Sequence, residues 1–181
     1  MRSFVYAGLV AALIPVPDGW KQETFQFPLP FAKTIPLEGS EHVRFTPQWT
    51  RFSAPDSFSY VFVWDVKAKP VTADDLEDYL EAYFNGLMMG VGVARKVEDS
   101  ALPASAALHP MTPVAGWSQA FGAEMRTWNA FSRGEKLMLW GEITQRECPA
   151  GRMQIFFAFS RAKRDHPVWN NLRAVREKTA C

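Results

Sequence analysis

Seven large apolar residues between Thr72 and Met88 constrain what the rest of the chain can build. Leu76, Tyr79, Leu80, Tyr83, Phe84, Leu87 and Met88 fall three and four residues apart, so they line one face of a helix. Thr72, with Asp75 three positions on, is a capping-box pattern with Asp in place of the usual Glu or Gln. Asp74, Asp75, Glu77 and Asp78 crowd the first turns, where the helix dipole favours negative charge. Gly90 and Gly92 offer an exit. Two tyrosines and a phenylalanine on one face need a broad apolar surface opposite them, and the candidate strands must supply it.

Phe58 to Val66 carries the strongest strand pattern. Phe58, Tyr60, Phe62, Trp64 and Val66 share one face, and Val61 and Val63 share the other. Apolar residues on both faces predict a central strand covered on both sides. Trp20 to Phe27, closed by Pro28 and Pro30, and His42 to Thr46 read as earlier strands. Pro47 to Asp56 reads as a loop with Trp49 and Phe52 tucked in. Val91 to Val97 is ambiguous, with an edge strand as one option. Ala101 to Gly116 has no usable period and reads as a long surface loop, where binding surfaces often sit.

Three strands then follow. Trp117 to Thr127 places Trp117, Phe121, Ala123 and Met125 on one face. Leu137, Leu139 and Ile143 continue that face on the next strand, and Met153, Ile155, Phe157 and Phe159 on the third. Hairpins at Asn129–Glu135 and Cys148–Gly151 bring Phe121, Ile143 and Phe157 together. His166-Pro167 opens a last helix with Val168, Leu172 and Val175 facing inward and Trp169 at the margin. The expected fold is α+β: a single domain whose mainly antiparallel sheet of about five to seven strands has two helices packed on it.

Composition agrees with one globular domain. A chain of 181 residues, 48% apolar and 22% charged, is unlike a disordered segment. A net charge of +1 gives no electrostatic footprint for DNA or RNA, so no nucleic-acid partner is expected. Seven Trp and fourteen Phe fit either a strand-rich core or an aromatic binding platform; their alternation along strands favours the core.

The N-terminus has the pattern of an export signal. Met1-Arg2-Ser3 precedes an apolar run, Phe4 to Ile14, broken by Pro15 and Pro17. The run is too short to span a bilayer. Residues 1–17 therefore read as a signal peptide and 18–181 as the domain, with no transmembrane segment in the mature chain. A buried first strand is the other reading. Cys148 sits in a turn, Cys181 is far from it in sequence, and neither belongs to a Cys-x-x-Cys motif. In an oxidising compartment their natural state is a disulfide. The strand after Cys148 advances about 27 Å and the last helix returns about 20 Å, which brings Cys181 back to the turn. Free thiols are the alternative.

Local catalytic signals are weak. Gly116-Trp117-Ser118-Gln119-Ala120 falls one residue short of a nucleophile elbow and has no helix after it. His42, His109 and His166 form no metal-binding spacing, and no metal or cofactor site is expected. Glu124 and Glu142, with Arg126 and Arg146, lie on the polar sheet face. They read as surface ion pairs or as an acid/base pair. The acidic residues of the first helix read as a solvated face, without the glycine turn a calcium loop needs.

The chain resembles a group of uncharacterised exported bacterial proteins of about this length. The likeness is carried by Gly19-Trp20, Glu23-Thr24, Phe27 through Ala32, Ser59 through Trp64, Tyr83 through Leu87, and Val168-Trp169 through Leu172-Arg173 to Arg176. It implies export and a paired Cys148–Cys181, and it implies no activity. The order of elements also resembles the sandwich of the PsbP and Mog1 proteins, a likeness of fold only. The expected function is a non-enzymatic binding or accessory protein of the cell envelope, periplasmic or secreted. It would engage an envelope protein or small ligand through Trp49, His109 and Trp128. The alternative is a hydrolase with a dispersed His/carboxylate site.

Overall fold

The computed structural model of the chain describes residues 13–181. Seven antiparallel strands form one open sheet in the order β1-β2-β3-β7-β6-β5-β4. The strands are β1 (Lys21–Gln26), β2 (Gly39–Phe45), β3 (Tyr60–Lys67), β4 (Ser105–Met111), β5 (Gln119–Trp128), β6 (Lys136–Cys148) and β7 (Arg152–Ser160). Helix α1 (Ala73–Arg95) joins β3 to β4, and α2 (Val168–Lys178) follows β7. Two meanders, β1–β3 and β4–β7, are thus joined by α1, which carries the chain to the far edge. The second meander then returns to pair β7 with β3. The domain is α+β, with a helix on each face.

The alternation in β3 separates two cores. Phe62 and Trp64 belong to the α1 side, and Val61 and Val63 to the α2 side; all four are fully buried. Their partner β7 repeats the pattern with Phe157 on the α1 side and Phe156 and Ala158 on the α2 side. On the α1 side, Phe62 stacks on Phe157 at 4.4 Å and on Tyr83 of α1 at 4.9 Å between ring centroids. Such offset aromatic contacts add to the burial that holds α1 on the sheet. Trp169 is fully buried rather than marginal, because its Nε1–H reaches the Ala162 carbonyl at 3.0 Å and its ring fills the second core.

Helix α1 begins as the capping pattern requires: the Asp75 N–H donates to Thr72 Oγ1 at 3.2 Å. It does not stop at Gly90 or Gly92. Gly90 faces open space, and Gly92 is where the Trp128 ring lies against the helix, with no room for a side chain. Residues 91–95 are helical, not an edge strand. The helix ends where Lys96 takes a left-handed conformation (φ 59). There Val97 N–H bonds to Gly92 O at 3.0 Å and Lys96 N–H to Val93 O at 3.3 Å. This is a Schellman ending with Lys at the position glycine usually holds.

The expected loop at Ala101–Gly116 contains the edge strand β4, and the acidic face of α1 explains why a strand survives there. The N–H groups of Ala104, Ala106 and Leu108 point away from β5 and donate to Asn85 Oδ1, Glu81 Oε1 and Glu77 Oε1 at 2.8, 3.0 and 2.6 Å. Four helical residues advance about 6 Å and two strand residues about 6.6 Å, so positions 77, 81 and 85 keep step with 108, 106 and 104. Glu77 and Glu81 are therefore edge caps rather than solvated charges.

Cys148 and Cys181 form a disulfide with Cα atoms 5.5 Å apart, returning the end of the chain to the turn after β6. Residues 1–12 of the expected signal peptide lie outside the described residues. From Leu13 the chain packs on the α2 side. Ile14 is 1% exposed in the second core, the buried Arg44 donates to the carbonyls of Ile14 and Pro15, and Ala180 N–H donates to Leu13 O.

Candidate functional site

Helix α1 lies beside β4 from its first turns, where Glu77 and Glu81 meet Leu108 and Ala106, and a space remains between its C-terminal half and the β1–β2 corner of that face. A cavity of about 490 Å³ fills the corner. Its floor is built by the strands: Phe25 from β1, Val43 and Phe45 from β2, and Tyr60 from β3. Register places Phe45 opposite Tyr60 and Glu23 opposite Val43. These positions share the α1 face because strand side chains alternate. Leu87 and Val91 of α1 form one wall, and Trp49, Phe52 and Phe58 of the β2–β3 loop form another. Phe131, from the loop between β5 and β6, closes the far end against Trp49 at 5.2 Å between centroids. Glu23, Thr50 and Arg95 line the cavity and are exposed, so they mark its mouth.

Glycine-like backbone geometry at one residue shapes this wall. Phe58 has φ 56, and its N–H donates to Trp49 O at 2.8 Å, folding the loop back so that Phe58 faces the cavity. A phenylalanine in the left-handed region is strained, and the aromatic packing around its ring holds it there.

Beside the cavity lies an unusual polar centre. Glu41 is fully buried; it accepts a hydrogen bond from Trp64 Nε1 at 2.6 Å and one from the Tyr83 hydroxyl at 3.2 Å. Burial pushes its carboxyl up from 4.5 to about 7, opposed by the bonds from Trp64 and Tyr83 and assisted by the charge of Glu23. Burial also raises the Tyr83 and Tyr60 hydroxyls well above their ordinary value. Tyr83 is thus a shared part, bonded to Glu41 and lining the cavity.

The three residues expected to form a binding surface do not come together. Trp49 lines the cavity. His109 lies on β4 opposite Gly122, and its ring and Arg164 cover that glycine. Trp128 is 1% exposed and packed against Gly92, so it is a core residue and not a surface aromatic. Its place at the end of a strand near a loop resembled exposure in the sequence; α1, running one turn further than expected, covers it.

The acid/base alternatives are likewise separated. Among the described residues no histidine hydrogen-bonds a carboxylate. The His42 ring meets Ser40 Oγ at 3.0 Å, and His166 Nδ1 accepts from Val168 N–H at 3.1 Å at the start of α2. Glu124 lies 3.7 Å from Arg126. Glu142 is gripped by Arg173 at 2.6 Å and Arg176 at 3.2 Å, which ties α2 to β6. Burial pushes the Glu142 carboxyl up, but the hydrogen bonds and charges of the two arginines outweigh it and hold it below its ordinary value. Among the described residues no group of three or more His, Cys, Asp or Glu is disposed to hold a metal, and no helix is long and apolar enough to cross a membrane.

Sequence reasoning missed Glu41 and the cavity wall. Glu41 falls in a strand that began, by pattern, one residue later, and an isolated acid there reads as solvent-facing. Comparison of the chain with protein-family models, with curated proteins and with solved structures finds no match.

Proposed function

We propose that this chain is an exported, non-enzymatic binding protein of the bacterial envelope that holds an apolar group of its ligand in the aromatic cavity. The observation that carries the reading is the cavity itself: about 490 Å³, walled by aromatic and aliphatic side chains, with charged groups only at its mouth. That size and composition suit a small ligand or a large side chain. Much of the wall is held by ring-on-ring contacts, such as Phe45 with Trp49 at 4.6 Å and Trp49 with Phe58 at 6.2 Å, which favours a preformed site. The Cys148–Cys181 disulfide supports an oxidising compartment. Processing that leaves the second core intact retains Leu13 and Ile14.

The test uses the fluorescent probe anilinonaphthalene sulfonate and the cavity-filling variant Val91→Phe. The folded wild type is expected to bind the probe, and the variant to bind it at least about tenfold more weakly with an unchanged melting temperature. No binding by the wild type, or equal binding by both, refutes the reading. Intact mass of the protein from its native cells, with and without reductant, tests export: thiols free before reduction would remove the compartment from the proposal.

A further inference from the structure

The two edges of the sheet are treated differently. On β4 every outward N–H is occupied or missing: Ala106 and Leu108, like Ala104 just before the strand, donate to α1, and the next outward residue is Pro110, which has no N–H. On β1 the opposite holds. Phe27 N–H donates to Gly39 O at 2.9 Å in the continued β1–β2 register. Hydrogen-bonded pairs alternate along an antiparallel ladder, so Gln22, Thr24 and Gln26 point their N–H and C=O groups outward. Among the described residues no side chain caps those three N–H groups and no strand lies beyond β1. The cavity opens beside this uncapped edge, lined by Glu23 and Phe25 of β1 itself.

We infer that β1 is a docking edge for an extended segment of a partner protein. The segment adds antiparallel to β1 as a further strand and lowers one large apolar side chain into the cavity. This rests on the reading that the cavity holds an apolar group. The chemistry of the edge selects a peptide: donors and acceptors alternate at every second residue, a spacing that another backbone matches. Side chains of the added strand stand about 5 Å from their β1 partners. Lys21, Glu23 and Phe25 share the cavity face, so the segment carries an acid opposite Lys21, a base opposite Glu23 and its apolar anchor opposite Phe25.

The test uses the full disulfide-bonded chain, isotopically labelled, and the synthetic peptide acetyl-Thr-Phe-Thr-Lys-Thr-Glu-Thr-amide. Binding is expected to slow hydrogen exchange at the amides of Gln22, Thr24 and Gln26 and to leave Ala106 and Leu108 unchanged. N-methylation of the peptide's second threonine is expected to weaken binding about fivefold, as loss of one backbone hydrogen bond implies. Thr24→Pro is expected to do the same from the protein side. Proline is tolerated on an edge strand where its nitrogen faces outward, and the N-methyl peptide keeps the test alive if the variant does not fold. Replacing the peptide's phenylalanine by alanine is expected to weaken binding at least about tenfold, as loss of a buried ring implies, and an unchanged affinity overturns the anchor. Peptide binding that ignores both N-methylation and Thr24→Pro overturns strand addition. So does protection confined to β4, or a dimer paired through β1 that excess peptide does not displace. Binding of the fluorescent probe without binding of the peptide overturns this inference and spares the cavity; binding of neither overturns both.

Discussion

Glu41→Gln is expected to stabilise the protein at alkaline pH and to leave it unchanged in acid. When ionised, Glu41 accepts from Trp64 Nε1 at 2.6 Å and from the Tyr83 hydroxyl at 3.2 Å; on protonation Oε2 keeps the Trp64 bond and the Oε1 hydroxyl donates to the Tyr83 oxygen, which reverses the second bond. Glutamine reproduces both bonds, its carbonyl facing Trp64 and its amide facing Tyr83. Burial raises the folded-state carboxyl to about 7 from 4.5. Below pH 4.5 folded and unfolded chains both carry the proton, and the group has no effect on stability. Between pH 4.5 and 7 the unfolded chain ionises first, so stability falls as pH rises; above pH 7 the loss is complete. At about 1.36 kcal/mol per pH unit the loss is ~3 kcal/mol, or roughly 6 to 12 °C in melting temperature.

His42 works in the opposite sense over part of this range. Burial and Arg44 lower its value, partly offset by Asp65, so its charging costs stability as pH falls below 6.5. That effect is common to both proteins and cancels in their difference. Urea unfolding of wild type and Glu41→Gln at intervals from pH 4 to 9, with the disulfide intact, gives the difference curve. It should be near zero at pH 4, rise through pH 4.5 to 7 and level off near ~3 kcal/mol in favour of glutamine. Parallel stability curves would refute the reasoning, because they would mean that Glu41 ionises equally in the folded and unfolded chains.

Glu77→Ala with Glu81→Ala should uncap β4 and cost about 1 kcal/mol per lost hydrogen bond. Sedimentation velocity should then show concentration-dependent association, and a strictly monomeric double variant would count against edge capping. Trp128→Ala should cost ~3–5 kcal/mol in urea unfolding, because the ring is buried against Gly92; a loss under ~1 kcal/mol would contradict its place in the core. Reduction of Cys148–Cys181, which are 33 residues apart, should cost ~4 kcal/mol by the chain-entropy argument, and an unchanged midpoint after reduction and alkylation would exclude that contribution.

Sequence by itself determined the layers of this protein, and the reason is periodicity. Tyr60, Phe62 and Trp64 alternate with Val61 and Val63, so β3 had to be covered on both sides; the helical spacing from Leu76 to Met88 supplied one cover and Val168, Leu172 and Val175 the other. The return of α2 toward the turn after β6 likewise made the disulfide legible, because rise per residue fixes how far each element travels. Tertiary structure alone decided the positions whose meaning depends on a distant partner. Val91 to Arg95 stay helical because Trp128 packs on Gly92 and Lys96 can adopt a left-handed turn. The weak strand β4 exists because Glu77, Glu81 and Asn85 meet its outward amides. Glu41 becomes a buried acid only because Trp64 and Tyr83 converge on it from β3 and α1. The cavity arises in the same way: its walls come from segments as far apart as Glu23 and Phe131, which only folding brings together. A repeating pattern is local and survives in the sequence. A partnership across a hundred residues does not.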